Sequence, residues 1–324
     1  MTHPLNPAMA ATFAPPVMEA RRWLAGLVFT DAKPLINVSQ AAPVDSPPLG
    51  LRQALAEAAL NDPQAHLYGP VLGLPALREE ISAQWSVAYG GSIAPSQVAI
   101  TQGCNQAFTA VMSTLAGAGD EVILPTPWYF NHKMWLDMQG VKTVPLPAGA
   151  GLVPDAGAAA ALITDRTRAI VLVSPNNPGG AEYPAETLAA FRDLCRARGL
   201  ALIVDETYRD FDSRSGRPHD LFTDPDWSDT LIQLYSFSKA YRLTGHRVGA
   251  AVGHLALHHA RALHRGAHRP ARALGHGRAP RKSDLALGGR CQGAAADSLY
   301  ICGGVHQRQF TVAGGLGLAQ FHLR

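Results

Sequence analysis

The sequence predicts an α/β protein whose sheet is largely parallel. Short apolar runs rich in Val, Ile and Leu recur along the chain, as is typical of strands buried on both faces. Helical segments separate several of these runs, and strands alternating with helices indicate a parallel sheet. The 324 residues are enough for two packed lobes or one large α/β unit. Ligands of parallel sheets gather beyond the carboxyl ends of the strands, so function is expected there.

The elements follow in a regular order. Residues up to about Pro48 are Pro-rich, with one helix-like stretch at 17–27. Helical apolar spacing then covers 51–60 and 76–89, with Gly, Pro and Asn between them. The predicted strands are Val98–Thr101, Glu121–Leu124, Ala169–Val173, Ala201–Val204 and Thr230–Leu234, and the helices between them include Asn105–Leu115 and Ala185–Arg198.

Composition excludes several classes of protein. The apolar fraction is 47% and the charged fraction 16%, values typical of a globular protein with a sizeable core. No stretch has the roughly 18 unbroken apolar residues of a membrane span, and no secretory signal is recognisable. The four cysteines follow neither metal-ligand spacing nor a disulfide framework. We therefore expect a cytoplasmic protein with no membrane association and no metal site.

The last 71 residues differ from the rest in composition. Residues 254–324 carry 10 Lys and Arg against 2 acidic residues, whereas residues 1–253 carry 18 against 23. This tail also holds 8 of the 13 histidines, and its apolar residues follow no clear period. A basic tail that binds RNA or another polyanion is one interpretation. Interleaved aromatics and a recognised module are missing, so we expect no nucleic-acid partner.

Two predicted strand ends carry polar motifs. Asp205 follows a buried run, and a carboxylate there is poorly solvated unless it has a partner. An N-cap of a helix is the structural alternative for Asp205. Another strand leads into SPNNPGG at 174–180, where Pro and Gly around an Asn pair predict a rigid turn. Taken alone, that motif is equally a tight loop.

A third strand leads into YSFSK, which ends at Lys239, and then into GHRVG, which contains Arg247. A lysine flanked by small hydroxyls, with an arginine eight residues later, is consistent with an amine nucleophile beside an anion site. A surface lysine is the alternative, because that is the commonest position of lysine.

Together, SPNNPGG, DETY, YSFSK and GHRVG resemble the class I/II aminotransferases of the pyridoxal-phosphate (PLP) fold-type I superfamily, the aspartate aminotransferase superfamily. Asp205 lies 28 residues after Asn177, and Lys239 lies 34 residues after Asp205. Four motifs in this order and spacing are far more specific than any one of them. The resemblance runs from about Asn37 to Gly253. It implies a large domain with a mostly parallel seven-stranded sheet flanked by helices, and an incomplete small C-terminal domain.

The resemblance assigns the catalytic residues. Lys239 is similar to the Schiff-base lysine, which then moves the Cα proton as general base and acid. Asp205 is similar to the partner of the pyridine nitrogen, whose protonated ring serves as the electron sink. Asn177 and Tyr208 are similar to the pair that hydrogen-bonds the phenolic oxygen of the ring.

Aromatic residues are assigned in the same way. Tyr129 aligns with the aromatic that stacks on the pyridine face, and Trp128 is the alternative. Tyr68 matches a tyrosine that reaches the phosphate of the neighbouring subunit, which implies a homodimer; a core aromatic is the structural alternative for it.

The resemblance also implies a phosphate-binding cup. The segment after the first predicted strand opens a helix, whose backbone N–H groups can receive an anion. An arginine clamp with charge-assisted hydrogen bonds would complete the cup. The implied residues are Gly103, Cys104, Asn105, Ser236, Ser238 and Arg247.

The sequence departs from the family pattern at two places. Ala41 stands where the family usually has Gly lining the substrate pocket, and its methyl group narrows that pocket. The arginine that grips the substrate carboxylate ordinarily lies farther downstream than the 85 residues that follow Lys239 here. We hypothesise that the reading frame shifts soon after Gly253.

This divides the chain into an N-terminal segment at 1–48 that would pack with the small domain, a PLP-binding large domain at 49–253 and an atypical tail at 254–324. The expected function is an aminotransferase that moves an amino group between an amino acid and a 2-oxo acid. A PLP-dependent C–S lyase shares every motif and stays open. So does a truncated or frameshifted remnant that binds the cofactor with little activity, because losing the lid and carboxylate grip slows catalysis.

Overall fold

The computed structural model describes residues 3–254. The atypical tail predicted at 254–324 and the hypothesised change of reading frame therefore lie, apart from His254, outside the described residues. Within residues 3–254, no helix combines the length and the apolar character needed to cross a bilayer.

Seven strands form one sheet. They are β1 (Val98–Thr101), β2 (Glu121–Thr126), β3 (Lys142–Pro147), β4 (Thr167–Val173), β5 (Ala201–Asp205), β6 (Leu231–Ser236) and β7 (Gly249–Val252). Their order across the sheet is β1-β7-β6-β5-β4-β2-β3. Strand β7 is antiparallel to both of its neighbours, and every other neighbouring pair is parallel. The predicted seven-stranded, mostly parallel sheet is confirmed.

Helices surround this sheet. The α-helices of the described residues are α1 (Pro7–Ala11), α2 (Pro16–Trp23), α3 (Leu49–Asn61), α4 (Pro75–Tyr89), α5 (Cys104–Leu115), α6 (Phe130–Met138), α7 (Ala156–Leu162) and α8 (Ala185–Arg198). Helix α8 ends at Gly199, whose φ of 64° is left-handed and therefore favours glycine.

The two faces of the sheet bury different cores. Successive side chains of a strand point to opposite faces, so Ala201 and Ile203 of β5 pack against α5 and α6. Leu202 and Val204 pack on the other face, in the cluster that includes residues of α4, α7 and α8. The alternation continues at the carboxyl end of β5, where Asp205 is followed by Glu206. This end of the strand therefore sends one carboxylate to each face.

The N-terminal segment lies largely exposed. None of the residues of α1 or α2 is buried. Apolar side chains that remain open to solvent include Leu5, Trp23, Val28, Ile36, Val38 and Val44. That this segment packs with a small domain remains a prediction.

Sequence patterns predicted the buried elements closely and missed others. The observed β1 and α8 have the predicted bounds, and the other predicted strands and helices are shifted by a few residues at their ends. Strands β3 and β7 and helices α1, α6 and α7 were not predicted. Strand β3 is mostly exposed at the sheet edge and contains Pro145 and Pro147, so it lacks the apolar run of a buried strand.

Candidate active site

Asp205 ends β5 as a buried carboxylate with 2% of its surface exposed. Its Oδ1 accepts hydrogen bonds from the backbone N–H and the hydroxyl of Thr207, at 3.0 and 2.7 Å. Nε2 of His132 lies 3.2 Å from the other oxygen, Oδ2. Burial raises the pKa of Asp205, but His132 and Thr207 outweigh this, so its pKa lies below the ordinary value. Asp205 is therefore a buried, ionised carboxylate and not merely a helix cap.

His132 holds its position through ring contacts. It lies on α6, is 1% exposed, and stacks on Phe108 of α5 with the ring centroids 3.9 Å apart. Tyr129 meets it edge-on at 5.0 Å. His132 belongs to no motif of the sequence, yet the structure places it between the predicted stacking aromatic and the predicted acid.

Lys239 follows β6 and is only half-buried. Burial lowers the pKa of its ammonium below the ordinary lysine value, and the charge of Arg247 lowers it further. Its Nζ lies 5.5 Å from the ring centroid of Tyr208 and donates a hydrogen bond to the carbonyl of Ala41. The structure thus brings together three residues that the sequence assigns to catalysis or to the substrate pocket.

The Asn pair in SPNNPGG is divided between two tasks. The loop begins beside Asp205, because Val173 pairs with Asp205 across the two strands. Asn176 is buried and builds the turn, since it donates to the hydroxyl of Tyr183 at 3.2 Å and accepts from the backbone of the loop at 2.8 Å. Asn177 is half-buried at the next position. The side chain of Asn176 is therefore engaged in hydrogen bonds within the turn, and Asn177 is the residue of the pair that could contact a ligand.

The residues predicted for a phosphate cup lie where β7 approaches the start of α5. Gly103 has a φ of 78°, and a Cβ there would lie 2.3 Å from Nη2 of Arg247. A Cβ on Gly249 would lie 2.7 Å from the backbone nitrogen of Cys104. Both positions therefore require glycine. The first backbone N–H groups of α5 have no partner inside the helix and lie beside the arginine.

Hydroxyl groups support this arginine. Arg247 donates from Nη1 to the Ser238 hydroxyl at 3.2 Å and to the carbonyl of Thr244 at 3.0 Å. The backbone N–H of Ser238 donates to the hydroxyl of Ser236 at 3.2 Å. Both serines are buried, whereas the arginine remains open to solvent on one side. Asn105 lies in the first turn of α5 and is half-buried.

Cys104 is the small buried residue that begins α5. Burial raises the pKa of its thiol well above the ordinary value, and the charge of Asp205 raises it further. The thiol therefore stays protonated and is poorly suited to act as a nucleophile.

Aromatic residues flank the site. The Tyr129 hydroxyl accepts a hydrogen bond from Asn131 at 2.7 Å, and burial raises the pKa of that hydroxyl. Trp128, the alternative stacking residue, instead lies 5.9 Å from the ammonium of Lys133. Tyr68 is 100% exposed, so its interpretation as a core aromatic is wrong.

These side chains match the chemical groups of PLP. A half-buried lysine with a lowered pKa suits an aldehyde, and an ionised buried carboxylate suits a protonated pyridine nitrogen. The glycine cradle, the helix start and Arg247 suit a phosphate dianion. The residues present therefore fit the cofactor that the motifs imply.

Two further residues belong to this site. Thr207 was missed, although an Asp that accepts from the residue two positions later is a common turn signature. His132 follows Tyr129 by three positions, the spacing at which side chains meet along a helix. That spacing was the only sequence signal for it.

Comparisons with known proteins support the same assignment. Residues 33–270 match the family model for aminotransferase class I and II. Arginine–pyruvate transaminase AruH of Pseudomonas aeruginosa is 38% identical over 194 residues, which are 59% of this chain and 49% of that protein. Probable N-succinyldiaminopimelate aminotransferase DapC of Mycobacterium tuberculosis is 32% identical over 222 residues, covering 67% of this chain and 55% of that protein. The chain spans about half the length of these relatives.

Solved structures agree with the sequence comparisons. The structure of N-succinyldiaminopimelate aminotransferase from M. tuberculosis superposes with a TM-score of 0.62 at 31% identity, over 69% of this chain and 58% of that one. YbdL from Escherichia coli, for which a methionine aminotransferase function was identified, gives 0.65 at 28% identity, over 70% and 60%. With these matches, the chain belongs to the class I and II aminotransferase family, whose enzymes use pyridoxal phosphate.

Proposed function

We propose that this chain binds PLP through Lys239 and moves an amino group between an amino acid and a 2-oxo acid. The observation that carries the proposal is that Asp205 and Lys239 lie at or just beyond the carboxyl ends of the neighbouring parallel strands β5 and β6. Lys239 is an amine with a lowered pKa, and Asp205 is a buried, ionised carboxylate. When bound, PLP supplies an aldehyde that captures amines and a ring that accepts electrons from Cα.

The protein residues divide the remaining work. Asp205 keeps a proton on the pyridine nitrogen, because its charge is buried and favours a cationic partner. Nζ of Lys239 moves the proton of the substrate Cα. Tyr208 and Asn177 would hydrogen-bond the phenolic oxygen of the bound cofactor, and Tyr129 would cover one face of its ring.

The phosphate is anchored by several groups that act together. Arg247 would supply the positive charge of its guanidinium, and the start of α5 would supply backbone N–H groups. Hydroxyl groups complete the cup. The residues proposed for it are Gly103, Cys104, Asn105, Ser236, Ser238 and Arg247.

The substrate would enter beside the N-terminal segment. The carbonyl of Ala41 contacts Lys239, so a substrate that reaches Lys239 would pass close to Ala41. Asn177 is the second residue proposed to contact the substrate. The relatives are named for arginine, aromatic, aspartate and N-succinyldiaminopimelate substrates, and these are the classes to screen first.

We also propose a homodimer in which Tyr68 reaches the phosphate of the neighbouring subunit. Tyr68 and Val71 are 100% and 99% exposed, so both side chains are open to contact by a neighbouring subunit. Sedimentation of the protein with PLP should show a dimer. Tyr68→Phe should weaken PLP binding without changing the sedimentation coefficient, and a monomeric protein with full PLP affinity would contradict the proposal.

Absorption spectroscopy tests the proposed function. The protein with PLP should show the visible band of a lysine–PLP adduct, and this band should collapse when amino acids are added. Borohydride reduction followed by peptide mapping should place the label on Lys239. Lys239→Ala should abolish the band, whereas Lys33→Ala, which removes an exposed lysine, should leave it unchanged.

The outcomes separate the alternatives. A band that ignores amino acids would indicate a cofactor-binding remnant, and release of a thiol from a cysteine-derived substrate would indicate a C–S lyase. A protein that forms no band would refute the proposed function.

A further inference from the structure

A second buried carboxylate lies directly after Asp205, on the opposite face of the sheet. Glu206 is 2% exposed. Its Oε2 accepts a hydrogen bond from the hydroxyl of Tyr89 at 2.7 Å and another from the amide of Gln233. Nε2 of His219 lies 3.2 Å from its other oxygen, Oε1. Two adjacent carboxylates thus each have an imidazole 3.2 Å away, one pair on each face.

The imidazole of His219 is fixed in position and in tautomer. The backbone N–H of Leu221 donates to Nδ1 at 3.3 Å, so in the neutral ring the proton lies on Nε2, facing Glu206. The ring stacks on Tyr89 with centroids 4.7 Å apart and planes 27° apart. Phe222 is stacked at 5.8 Å. Since the residue is 2% exposed, water cannot replace this contact easily.

The charges around Glu206 are balanced within the same cluster. Burial raises its pKa, but His219 and Arg209 outweigh this, and its pKa lies below the ordinary value. The guanidinium of Arg209 lies 4.8 and 4.7 Å from the ring centroids of Trp85 and Tyr235. Arg209 Nη1 also donates to the Tyr89 hydroxyl at 3.3 Å.

Asp210 is a second carboxylate in this cluster. It contacts Arg209 at 3.3 Å and accepts a hydrogen bond from the Tyr235 hydroxyl. The titratable and charged groups facing Glu206 therefore come from α4, β6 and the segment after β5. None of them takes part in the proposed chemistry.

The cluster is joined to the site through one short turn. The backbone N–H of Glu206 donates to Leu234 at 2.9 Å, and its carbonyl accepts from the N–H of Arg209 at 3.0 Å. Between these two anchors lie Thr207, which holds Asp205, and Tyr208, whose ring lies 5.5 Å from Nζ of Lys239. A shift of Glu206 would therefore move the groups of both residues that face the cofactor.

We propose that Glu206 and His219 are a positioning pair that fixes the turn at 206–209 and thereby orients Tyr208 and the donors of Thr207 in the cofactor site. This inference rests on the proposed function. The pair does not touch the cofactor, and its effect is exerted through the backbone that connects the two faces of β5.

Two substitutions of His219 separate positioning from packing. His219→Phe keeps a flat ring packed against Tyr89 and Phe222 but removes the imidazole nitrogen that lies 3.2 Å from Glu206. His219→Gln keeps an N–H donor of similar reach. The measured quantities are the PLP dissociation constant and the pKa of the lysine–PLP adduct, read from its absorption spectrum against pH.

We expect His219→Phe to raise the dissociation constant roughly tenfold, the fold change that corresponds to about 1.4 kcal/mol. The pKa of the adduct should rise, because a displaced Tyr208 stabilises the phenolate less well. His219→Gln should restore both values. A His219→Phe protein that binds PLP as the wild type does, with an unchanged adduct pKa, overturns the proposal.

A double-mutant cycle shows whether the effect runs through Tyr208. In a Tyr208→Phe background, His219→Phe should add little to the change in adduct pKa. Full additivity overturns the proposed route. Leu188→Ala, which removes a buried side chain of α8 in the same core, should lower stability but leave the adduct pKa unchanged. A shift with Leu188→Ala would mean that any loss of packing has this effect, which also overturns the proposal.

If His219→Phe does not fold, the PLP dissociation constant and the adduct pKa can be measured in Glu206→Gln. If both values are unchanged in that variant, the proposed pairing is overturned. If the wild-type protein forms no adduct, the proposed function fails and this inference fails with it. If the wild type forms the adduct and neither variant changes it, only the positioning role fails.

Discussion

Replacing His132 by Phe tests how the buried charge of Asp205 is maintained. In the wild type, the ring centroids of His132 and Phe108 are 3.9 Å apart, and the substitution keeps a flat ring in this stack. It removes Nε2, which lies 3.2 Å from Oδ2 of Asp205. Thr207 still donates twice, but both of its hydrogen bonds go to Oδ1. Oδ2 therefore loses its imidazole neighbour inside the protein.

The expected cost follows from the lost interaction. Nε2 of His132 contacts the Asp205 carboxylate at 3.2 Å, and a polar interaction of this kind with a buried charged group contributes about 1.5–3 kcal/mol. The lowered pKa of Asp205 means that its stabilisation is fully present above the unfolded value, about 3.9. It is lost as the pH falls through the lower folded value. Removing His132 raises that folded pKa, so the variant loses stability at pH 7 and unfolds in acid at a higher pH than the wild type.

Urea unfolding of the cofactor-free protein, measured from pH 7 to pH 3, provides the assay. His132→Phe should lower the free energy of unfolding at pH 7 by about 1.5–3 kcal/mol. The difference in the free energy of unfolding between the two proteins should narrow as the pH falls, because Asp205 then becomes protonated in both of them. PLP affinity should fall as well, since a more easily protonated Asp205 holds the pyridine proton less firmly.

Two controls belong to this experiment. His132→Gln retains an N–H donor and should recover most of the loss. Leu136→Val removes one buried methylene from the same helix, at a cost of about 1 kcal/mol that should not vary with pH. If the deficit of His132→Phe is equally independent of pH, the imidazole serves only packing and the argument is refuted.

Three other predictions concern features of the molecule apart from His132 and Asp205. Gly103→Ala should weaken PLP binding roughly tenfold, because its Cβ would displace Arg247, whereas Gly117→Ala has nothing within 4 Å and should not; equal PLP affinities would contradict this. Glu121 accepts hydrogen bonds from Thr164, Lys142 and Arg166, in that order of effect on its pKa, which lies at about 2. Glu121→Gln should therefore lower the thermal midpoint at pH 7, with a difference that disappears as the pH falls towards 2; a constant difference across this range would count against it. Translating the other two reading frames of the gene beyond codon 253 should reveal helix and strand patterning with an arginine suited to a carboxylate, and its absence from both would remove the frameshift hypothesis.

The sequence was most informative where the sheet is buried on both faces. The apolar runs of β4, β5 and β6 have no other plausible placement, and the motifs at their carboxyl ends follow directly. Strand β7 contains Gly249 and two alanines, so its propensity for a strand is weak and its position depends on β1 and β6. Tertiary pairing decided it.

The candidate site shows the same division. Lys239, Asp205 and Arg247 were predicted because their motifs occur in a fixed order along the chain. His132 carries no motif, and its importance depends on where α6 packs against α5, which no local pattern specifies. The tautomer of His219 depends on a backbone N–H two residues away and on a carboxylate thirteen residues before it. Such contacts become visible only when the fold is known.

The antiparallel position of β7 has a consequence for the order in which this sheet can be completed during synthesis. Strand β1 ends at Thr101, yet its partner in the sheet begins only at Gly249. Until the ribosome has released β7, β1 has no neighbour, and the loop that carries Gly103 faces no arginine. This contact joins Thr101 to Gly249, which are 148 positions apart in the sequence (249 − 101). A contact of this separation is costly in loop entropy and slow to form. Any premature stop before residue 249 would leave an unpaired edge and only part of an anion site, whereas an altered sequence after Gly253 would leave the sheet complete.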